Sequence, residues 1–544
     1  MTPPMKNHGA RPVSTRKNSE FFPAHTLHPR GHARIHAAGR RALRVFKFGG
    51  TSVGDASCIA RVAEIVRSAA LESDIVIVVS AMSGVTNQLV AAARRSQEGE
   101  ETSAEAIFSE LRKRHISALR DLVPSFEERN RIQCKIDDLL QNGCRLCRGS
   151  ALLGELTPRT RDTILSLGER LSILLVAAAL SERGLASQAV EATEIVITND
   201  VHDGADPQMG PTRERCEKRL RPLVQQSIVP VVTGFIGAAP DGTITTLGRG
   251  GSDYSATVIG AALGASEVII WTDVDGLQTA DPRMVPEART IPEVSYREAA
   301  ELAYFGAKVL HPKTLRPVMQ CGIPLWIRNT FAPEHSGTKI TPEGPEGFGG
   351  VTAVTAISEA TSITLSGPVF SGVPDLLVRA LRATSAARTD VLLLSHAPSQ
   401  DELCVVITSA QAEDTLEMLR QEFSEELAHE SEGTEGIAID ASVALITVVG
   451  PTRRSLAGIS ISAMLSTVCG AVAKENVDVI AMVQNPSECV ISLLVGKNDL
   501  SAAVSGLHQE FRLADSDLGL FPKDGLYPPL GAAEPTSESS EQKY

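Results

Sequence analysis

Short apolar runs alternate with amphipathic helical patterns over roughly the first 330 residues. The runs at 44–48, 74–80, 227–233 and 267–272 are each followed by a turn or a helical segment, such as the amphipathic stretch 56–70. Continuous β-branched runs are typical of strands buried on both faces of a parallel sheet. A mainly helical stretch, 103–180, interrupts the rhythm. The pattern predicts a doubly wound α/β domain with ligands at the carboxyl ends of its strands.

The pattern changes beyond a Pro-, Gly- and Glu-rich segment, 332–350, which we interpret as a linker. Residues 362–368 (SITLSGP) match 443–451 (VALITVVGP), so the second half contains an internal repeat. Each copy continues with a helix of about twenty residues, a strand entry, a second strand and an amphipathic helix. The strand entries are at 390–394 and 478–482, and the amphipathic helices are at 411–423 and 499–511. This βαββα order is ferredoxin-like, and two tandem copies suggest paired regulatory modules.

Composition narrows the class of protein. The chain has 544 residues, 43% of them apolar, and a formal net charge of −13, which argues against a general nucleic-acid binder. Its longest apolar candidate, 173–180, is too short for a membrane span. Nine irregularly spaced cysteines suit free thiols in a reducing compartment, so we expect a cytoplasmic protein. Both ends, the basic 1–43 and the Pro/Ser/Glu-rich 513–544, are expected to be disordered tails.

The first candidate site is KFGGTSV, which starts at Lys47. Lys47 lies near the end of an edge-like strand, and an unpaired ammonium that faces a core costs several kcal/mol. Gly49 and Gly50 allow backbone N–H groups to approach an anion, and Thr51 and Ser52 add hydroxyls at a helix start. By itself, a Gly-Gly turn between a strand and a helix is ordinary. The usual phosphate-binding loops are missing from the sequence.

The second candidate is TLGRGGSDYSA, 246–256. Arg249 offers two parallel donors for a carboxylate. Gly250 and Gly251 expose backbone amides, Ser252 could cap the following helix, and Asp253 would lie in its first turn. A glycine turn before a capped helix is the plain alternative.

Two further segments follow. Thr272 and Asp273 end a buried strand, which is the usual place for a ligand loop. In YFGAKVLHP, Lys308 comes one turn after a glycine, and alone it would be interpreted as a solvated surface residue.

Together these segments resemble the amino acid kinase family, and within it the aspartate kinases. The resemblance covers about residues 44–511, rests on KFGGTSV, SAMSGVTN, LGERLS, LGRGGSDYSA, WTDVDG and YFGAKVLHP, and is strongest to the kinase half of bifunctional aspartate kinase–homoserine dehydrogenases. No dehydrogenase half is expected. The implied architecture is an amino acid kinase fold at 44–331, the linker 332–350, and two ferredoxin-like ACT domains at 351–432 and 433–512.

The resemblance also implies roles for individual residues. Lys47 would hold the transferring phosphoryl group, and Asp253 would organise that lysine. Arg249 would bind the substrate α-carboxylate and Glu169 its α-ammonium. The remaining substrate contacts would be Ser80, Thr86, Gly250, Gly251 and Ser252, and the remaining nucleotide contacts would be Gly49, Gly50, Thr51, Ser52, Thr272, Asp273, Arg283 and Lys308.

The implied reaction is transfer of the ATP γ-phosphate to L-aspartate, with Mg²⁺ on the phosphates, as the first step of lysine, threonine and methionine biosynthesis. Threonine or lysine would inhibit by binding at Gln484 in the second ACT repeat, and the protein would be a homodimer or a higher homo-oligomer. Two residues depart from the family pattern: Gln278 stands where the family often has Tyr, and His396 stands where the second repeat has Gln484. Other amino acid kinases, or a catalytically silent amino-acid sensor, are the alternatives.

Overall fold

The computed structural model describes residues 41–306, 309–345, 350–370, 373, 375–397, 402–428, 436–450, 461–484 and 490–515. Lys308 lies outside these residues, and so do the two predicted tails except for 41–43 and 513–515. Within them, the chain forms one eight-stranded sheet, one six-stranded sheet and a small two-stranded ribbon.

The eight-stranded sheet has the order β3-β4-β2-β1-β7-β9-β10-β8, and its pairings are parallel except for β9 with β10. Its strands are β1 (Ala42–Phe48), β2 (Ser73–Val79), β3 (Ser187–Val190), β4 (Val229–Thr233), β7 (Glu267–Thr272), β8 (Glu293–Ser295), β9 (Leu325–Asn329) and β10 (Thr338–Thr341). The short strands β5 (Ile236–Ala238) and β6 (Ile244–Thr246) form the ribbon.

Two expectations change here. The strand that carries Lys47 is central, between β2 and β7, and the expectation of an edge-like strand is wrong. The segment 332–350 contains β10, which pairs with β8 and β9, so these four residues belong to the sheet and do not act as a linker.

Apolar clusters cover both faces of this sheet. Phe46 and Phe48 of β1 face one cluster, and Val45 faces the other. The surrounding helices are α1 (Ala56–Ala69), α2 (Val85–Gln97), α3 (Glu101–Leu122), α4 (Phe126–Leu153), α5 (Pro158–Leu165), α6 (Leu167–Glu182), α7 (Met209–Arg219), α8 (Arg221–Gln225), α9 (Gly251–Leu263), α10 (Tyr296–Tyr304) and α11 (Pro312–Cys321).

One helical stretch of the described chain, Pro158–Glu182, is long and apolar enough to cross a membrane. However, 83% of its apolar window is buried, as in a core helix.

The six-stranded sheet contains both sequence repeats, in the order β12-β13-β11-β14-β16-β15. The first repeat is β11 (Ala353–Leu365), α12 (Leu376–Ala386), β12 (Leu393–Ala397), β13 (Glu402–Thr408) and α13 (Ala412–Glu422), followed by the short α14 (Ser424–Leu427). The second is β14 (Ile437–Val449), α15 (Ile461–Lys474), β15 (Val479–Gln484), β16 (Val490–Gly496) and α16 (Leu500–Glu510). Antiparallel pairing of β11 with β14 makes the two copies one continuous sheet.

The βαββα order is therefore observed in both repeats, but the first helix is shorter than expected. The helix α12 has 11 residues, not about twenty, and a short 3₁₀ turn at Pro368–Phe370 precedes it. The repeats also contact the segments that follow β7 and α10, since Thr279 Oγ1 lies 3.0 Å from His508 Nε2 and Thr355 Oγ1 donates to the Phe305 carbonyl.

Candidate active site

A cleft of about 570 Å³ opens at the carboxyl ends of β1, β2, β4 and β7, beside the start of α9. This is where a doubly wound sheet is expected to bind its ligand. The predicted site residues that line the cleft are Lys47, Gly49, Gly50, Thr51, Ser80, Thr86, Glu169, Arg249, Gly250, Gly251, Ser252, Asp253, Thr272 and Asp273.

Lys47 and Asp253 form an ion pair on the floor of the cleft. Side chains alternate along β1, so Lys47 projects to the same face as Val45, against which α9 packs. Asp253 lies in the first turn of α9, and its Oδ1 is 2.5 Å from Lys47 Nζ. Both side chains are nearly buried, at 9% and 14% exposure. The pair offsets the burial cost of the lysine and fixes its ammonium beside the cleft.

The Gly49–Gly50 turn is used differently from the sequence-based expectation. The Gly49 N–H donates to the Trp271 carbonyl at 3.1 Å, so it is not available to an anion. Gly50 lies so close to the next turn that a Cβ there would be 3.1 Å from the Ala81 carbonyl oxygen, which explains the need for glycine. Gly50 therefore serves close packing of two turns at the edge of the cleft.

The hydroxyls of this turn are also not at a helix start. The helix α1 begins at Ala56 and is capped by Asp55, whose side chain accepts from the Cys58 N–H. Ser52 is fully buried, and its Oγ lies 2.7 Å from Thr330 Oγ1. Ser52 is thus a structural tie between β1 and the end of β9, whereas Thr51 remains at the cleft surface.

The turn before α9 presents Arg249 to the cleft. Gly250 has a φ of 68° and is itself the N-cap, so the expectation that Ser252 caps this helix is wrong. A Cβ on Gly250 would meet His311 Cβ at 2.7 Å, which leaves room for glycine only. The Arg249 guanidinium is exposed, as a group that receives a ligand carboxylate should be.

Glu169 also lines the cleft, from the first turn of α6. It is 3% exposed, and its Oε1 accepts from the Ala81 N–H at 3.2 Å. Its Oε2 is buried and has no hydrogen-bond partner in the described part of the chain. Burial raises the pKa of Glu169 to about 8, against the opposing effects of the Ala81 N–H and the Lys47 charge. A buried carboxyl with one free oxygen in a cleft is suited to accept a cationic ligand group.

The predicted nucleotide residues divide into two groups. Thr272 and Asp273 line the cleft at the end of β7, where Thr272 Oγ1 donates to Asp273 Oδ1 at 3.2 Å. Arg283 lies outside it, and its 79%-exposed guanidinium pairs with Asp281 at 2.5 Å. Gln278 also lies outside the cleft lining and donates to Thr290 Oγ1 at 2.9 Å.

The charge in the cleft is not what an ATP site in an acidic protein suggests. Among the described lining residues, the cations of Lys47 and Arg249 are matched by the carboxylates of Asp253 and Asp273, and Glu169, with its raised pKa, is mostly protonated at neutral pH. The local excess of positive charge that such a site needs is therefore absent from this part of the chain.

Several lining residues were missed by sequence reasoning about chemistry. The turn Ala81–Gly84 forms one wall, and its position after β2 was the signal that it could do so. Phe235 lines the cleft with a φ of 67°, a backbone conformation that bulky residues rarely adopt. No pattern in the sequence around Phe235 predicts this backbone conformation. The remaining missed residues are Asn87, Gly248 and Val309.

In the second repeat, Gln484 is half-buried at the end of β15, opposite Ile491 of β16. In the first repeat, His396 is exposed on β12, opposite Leu403.

Comparison with known proteins agrees with this architecture. Residues 42–329 match the amino acid kinase family, and residues 446–511 match an ACT domain. The chain is 32% identical to a bifunctional aspartokinase/homoserine dehydrogenase of Arabidopsis thaliana over 88% of its own length and 51% of that relative. It is 32% identical to aspartokinase 1 of the same plant, over 86% of its own length and 80% of the relative. The chain spans about half the length of the bifunctional relatives it matches.

Solved structures give the same result. The crystal structure of E. coli aspartokinase III in complex with aspartate and ADP covers 86% of this chain with a TM-score of 0.71 and 30% identity, and all of that chain is covered. The lysine and aspartate complex of the same enzyme matches with the same TM-score. The chain therefore belongs to the amino acid kinase family, and within that family to the aspartokinases.

Proposed function

We propose that this protein transfers the γ-phosphoryl group of ATP to the side-chain carboxylate of L-aspartate. A carboxylate oxygen attacks the γ-phosphorus, the bond from that phosphorus to the bridging oxygen of ADP breaks, and L-4-aspartyl phosphate and ADP form. The observation that carries this proposal is the single cleft that holds the Lys47–Asp253 pair, the exposed Arg249 and the free oxygen of Glu169. The relatives described as aspartokinases support it.

In this proposal Arg249 and Glu169 hold the amino acid. An α-amino acid is a zwitterion, so it needs a cation for its carboxylate and an anion for its ammonium. Arg249 supplies the first and Glu169 the second, and both line the cleft. Ser80, Thr86 and the backbone of 250–252 complete the substrate pocket. This grip leaves the side-chain carboxylate of aspartate free to point toward Lys47.

Lys47 neutralises the phosphoryl group during transfer, and Asp253 holds Lys47 in place. Thr51, Thr272 and Asp273 line the nucleotide side, and Arg283 and Lys308 are proposed to reach the bound nucleotide. Magnesium would enter with ATP, held by phosphate oxygens and water, and would neutralise phosphate charge. The lack of excess positive charge in the described lining fits a metal-bound nucleotide better than the bare tetra-anion.

The test is hydroxylamine trapping. With ATP, Mg²⁺ and L-aspartate, the purified protein should yield aspartyl hydroxamate and a matching amount of ADP. The matched control is Lys47→Met, and the competing substrates are L-glutamate and N-acetyl-L-glutamate. A folded protein that gives no hydroxamate with aspartate overturns the proposal, and hydroxamate from another acid only would favour a different amino acid kinase.

We further propose that threonine or lysine binds the ACT repeats near Gln484 and inhibits the kinase. The proposed domain limits are 44–331 for the catalytic domain, and 351–432 and 433–512 for the repeats, with β10 assigned to the catalytic sheet. The lysine complex of E. coli aspartokinase III supports an amino-acid effector. We also propose a homodimer formed through the repeats, because the edge strand β15 exposes Ile480, Met482 and Val483. The cytoplasmic location stays a prediction.

A further inference from the structure

A buried carboxylate outside the cleft lining joins three segments behind it. Asp162, in α5, is fully buried. Its Oδ1 accepts from Thr246 Oγ1 at 2.7 Å. Its Oδ2 accepts from the Thr246 N–H at 3.2 Å and the Asp203 N–H at 3.3 Å, and lies 2.7 Å from His202 Nδ1. Such a cluster of bonds on one buried carboxylate fixes the relative position of everything it touches.

One of those segments carries Arg249. Thr246 is the last residue of β6 and stands three positions before the arginine. The Thr246 carbonyl accepts from the N–H groups of Gly204 and Ala205, at 3.1 and 2.8 Å. Gly248 packs on the same loop, since a Cβ there would lie 3.3 Å from the Gly204 Cα. Asp162 and the loop 202–205 therefore support the arginine turn from behind.

Another segment carries Glu169. The Asp162 carbonyl accepts from the Ser166 N–H at 2.9 Å, and α6 begins at the next residue, Leu167. Glu169 is in the first turn of α6, seven positions after Asp162. The side chain of Asp162 thus holds the arginine turn, while its backbone belongs to the helical segment that leads into Glu169.

We propose that Asp162 is a positioning residue that fixes the separation of Arg249 and Glu169, and thereby sets the affinity of the site for its amino-acid substrate. This inference rests on the proposed function, because that function supplies a zwitterionic substrate whose two charged groups the spacing of Arg249 and Glu169 must match. The nucleotide side of the cleft, at Thr272 and Asp273, is built by other strands and has no bond to Asp162 among the described residues. The proposal therefore predicts a selective effect on aspartate over ATP.

The variants are Asp162→Asn and a matched pair at Thr246. Asparagine keeps the size of the side chain but replaces one acceptor oxygen with an NH2 donor, so the bonds at either Oδ1 or Oδ2 lose their acceptor. Thr246→Val removes the hydroxyl, and Thr246→Ser keeps it. Asp162→Asn should raise the KM for L-aspartate about 10- to 100-fold and Thr246→Val about 10-fold, with the KM for ATP changed less than about twofold. Thr246→Ser should behave like the wild type.

A purely structural anchor would act differently. The control is Glu298→Gln, which alters another buried carboxylate that accepts several hydrogen bonds but lies outside the cleft lining. It should lower Tm without changing the ratio of the two KM values. Equal rises in both KM values, or a lower Tm with no change in the aspartate KM, would overturn the role of Asp162. Should Asp162→Asn fail to fold, the Thr246→Val and Thr246→Ser comparison decides the matter.

Calorimetric titration of L-aspartate in the presence of a non-hydrolysable ATP analogue separates the two proposals. If the wild type binds and phosphorylates aspartate and Asp162→Asn binds aspartate with the same affinity, the positioning role alone is rejected. Wild-type protein that does not bind aspartate rejects the proposed function and the positioning role together. Weaker aspartate binding in Asp162→Asn, at unchanged affinity for the analogue, is the expected result.

Discussion

Glu169→Gln is the substitution for which the structure gives the most specific expectation. The wild-type carboxyl is buried, and its pKa is raised to about 8. Only the ionised form can pair with a substrate ammonium, so binding at neutral pH must first remove a proton from most of the empty sites. Glutamine has nearly the same shape but neither charge nor titration. The substitution should therefore abolish the contribution of Glu169 to the affinity for aspartate, together with the pH dependence of that affinity.

The size of the effect follows from the pKa. At pH 7, a group of pKa about 8 is roughly one-tenth ionised, so apparent affinity is about tenfold below its limit. The KM for aspartate should fall by up to about tenfold per pH unit from pH 6 to about 8, and then level off. At pH 8.5 the loss of one charged hydrogen bond, about 1.5–3 kcal/mol, should raise the KM of Glu169→Gln roughly 10- to 150-fold.

The same titration affects stability. The folded-state pKa of about 8 is above the ordinary value of 4.5, so the favourable contribution of neutral Glu169 is complete below pH 4.5 and is lost as the pH rises toward 8. The maximum slope is about 1.4 kcal/mol per pH unit. The free energy of unfolding of Glu169→Gln should therefore improve relative to the wild type between pH 5.5 and 8.

Two measurements check this reasoning: KM for aspartate against pH, and urea unfolding at both ends of the range. A flat wild-type KM profile, or an equal slope in Glu169→Gln, would refute the assignment of Glu169 to the ammonium. An unfolding difference that does not change with pH would refute the raised pKa.

Four further outcomes are expected. Lys47→Met should lower kcat by about 10²- to 10³-fold; adding Asp253→Asn should recover stability, measured by thermal unfolding, but not turnover, and recovered turnover would contradict the role of Lys47. Arg249→Ala should raise the KM for aspartate in steady-state assays and leave that for ATP unchanged, whereas a shift confined to ATP would move Arg249 to the nucleotide. Gln484→Ala should weaken inhibition by threonine or lysine, and undiminished inhibition curves would remove Gln484 from the effector site. Light scattering should find a dimer that Ile480→Arg weakens, and a wild-type monomer at micromolar concentration would exclude the dimer.

Much of the fold could be predicted because buried parallel strands are visible as short β-branched runs. The strands at 74–80 and 267–272 and the βαββα order of both repeats follow from local pattern alone. The central place of β1 could not be predicted, because it depends on pairing with β7, more than two hundred positions later. A lysine in a short strand suggests an edge strand as long as its ion-pair partner, here Asp253, is not known. Similarly, β10 is hidden by its Pro- and Gly-rich surroundings and exists through pairing with β8 and β9.

At the site, residue types were easier to predict than their use. The glycines, Lys47 and Asp253 stand out in the sequence, and the structure brings them to one cleft. Local pattern could not show that the Trp271 carbonyl accepts from the Gly49 N–H. Nor could it show that α1 is capped by Asp55 and not by the hydroxyls of Thr51 and Ser52. Each of these depends on a neighbour or a helix register that only the folded chain defines.

The central position of β1 has a consequence for synthesis of the chain. Lys47 lies opposite Val78 on one side and Ile270 on the other, and Ser52 is tied to Thr330. During translation at about 5–20 residues per second, the first strand waits roughly 10–45 s before its second neighbour leaves the ribosome. Its open side is exposed to other chains for that time. The part of the cleft around Lys47, although encoded first, is among the last parts of the molecule to assemble.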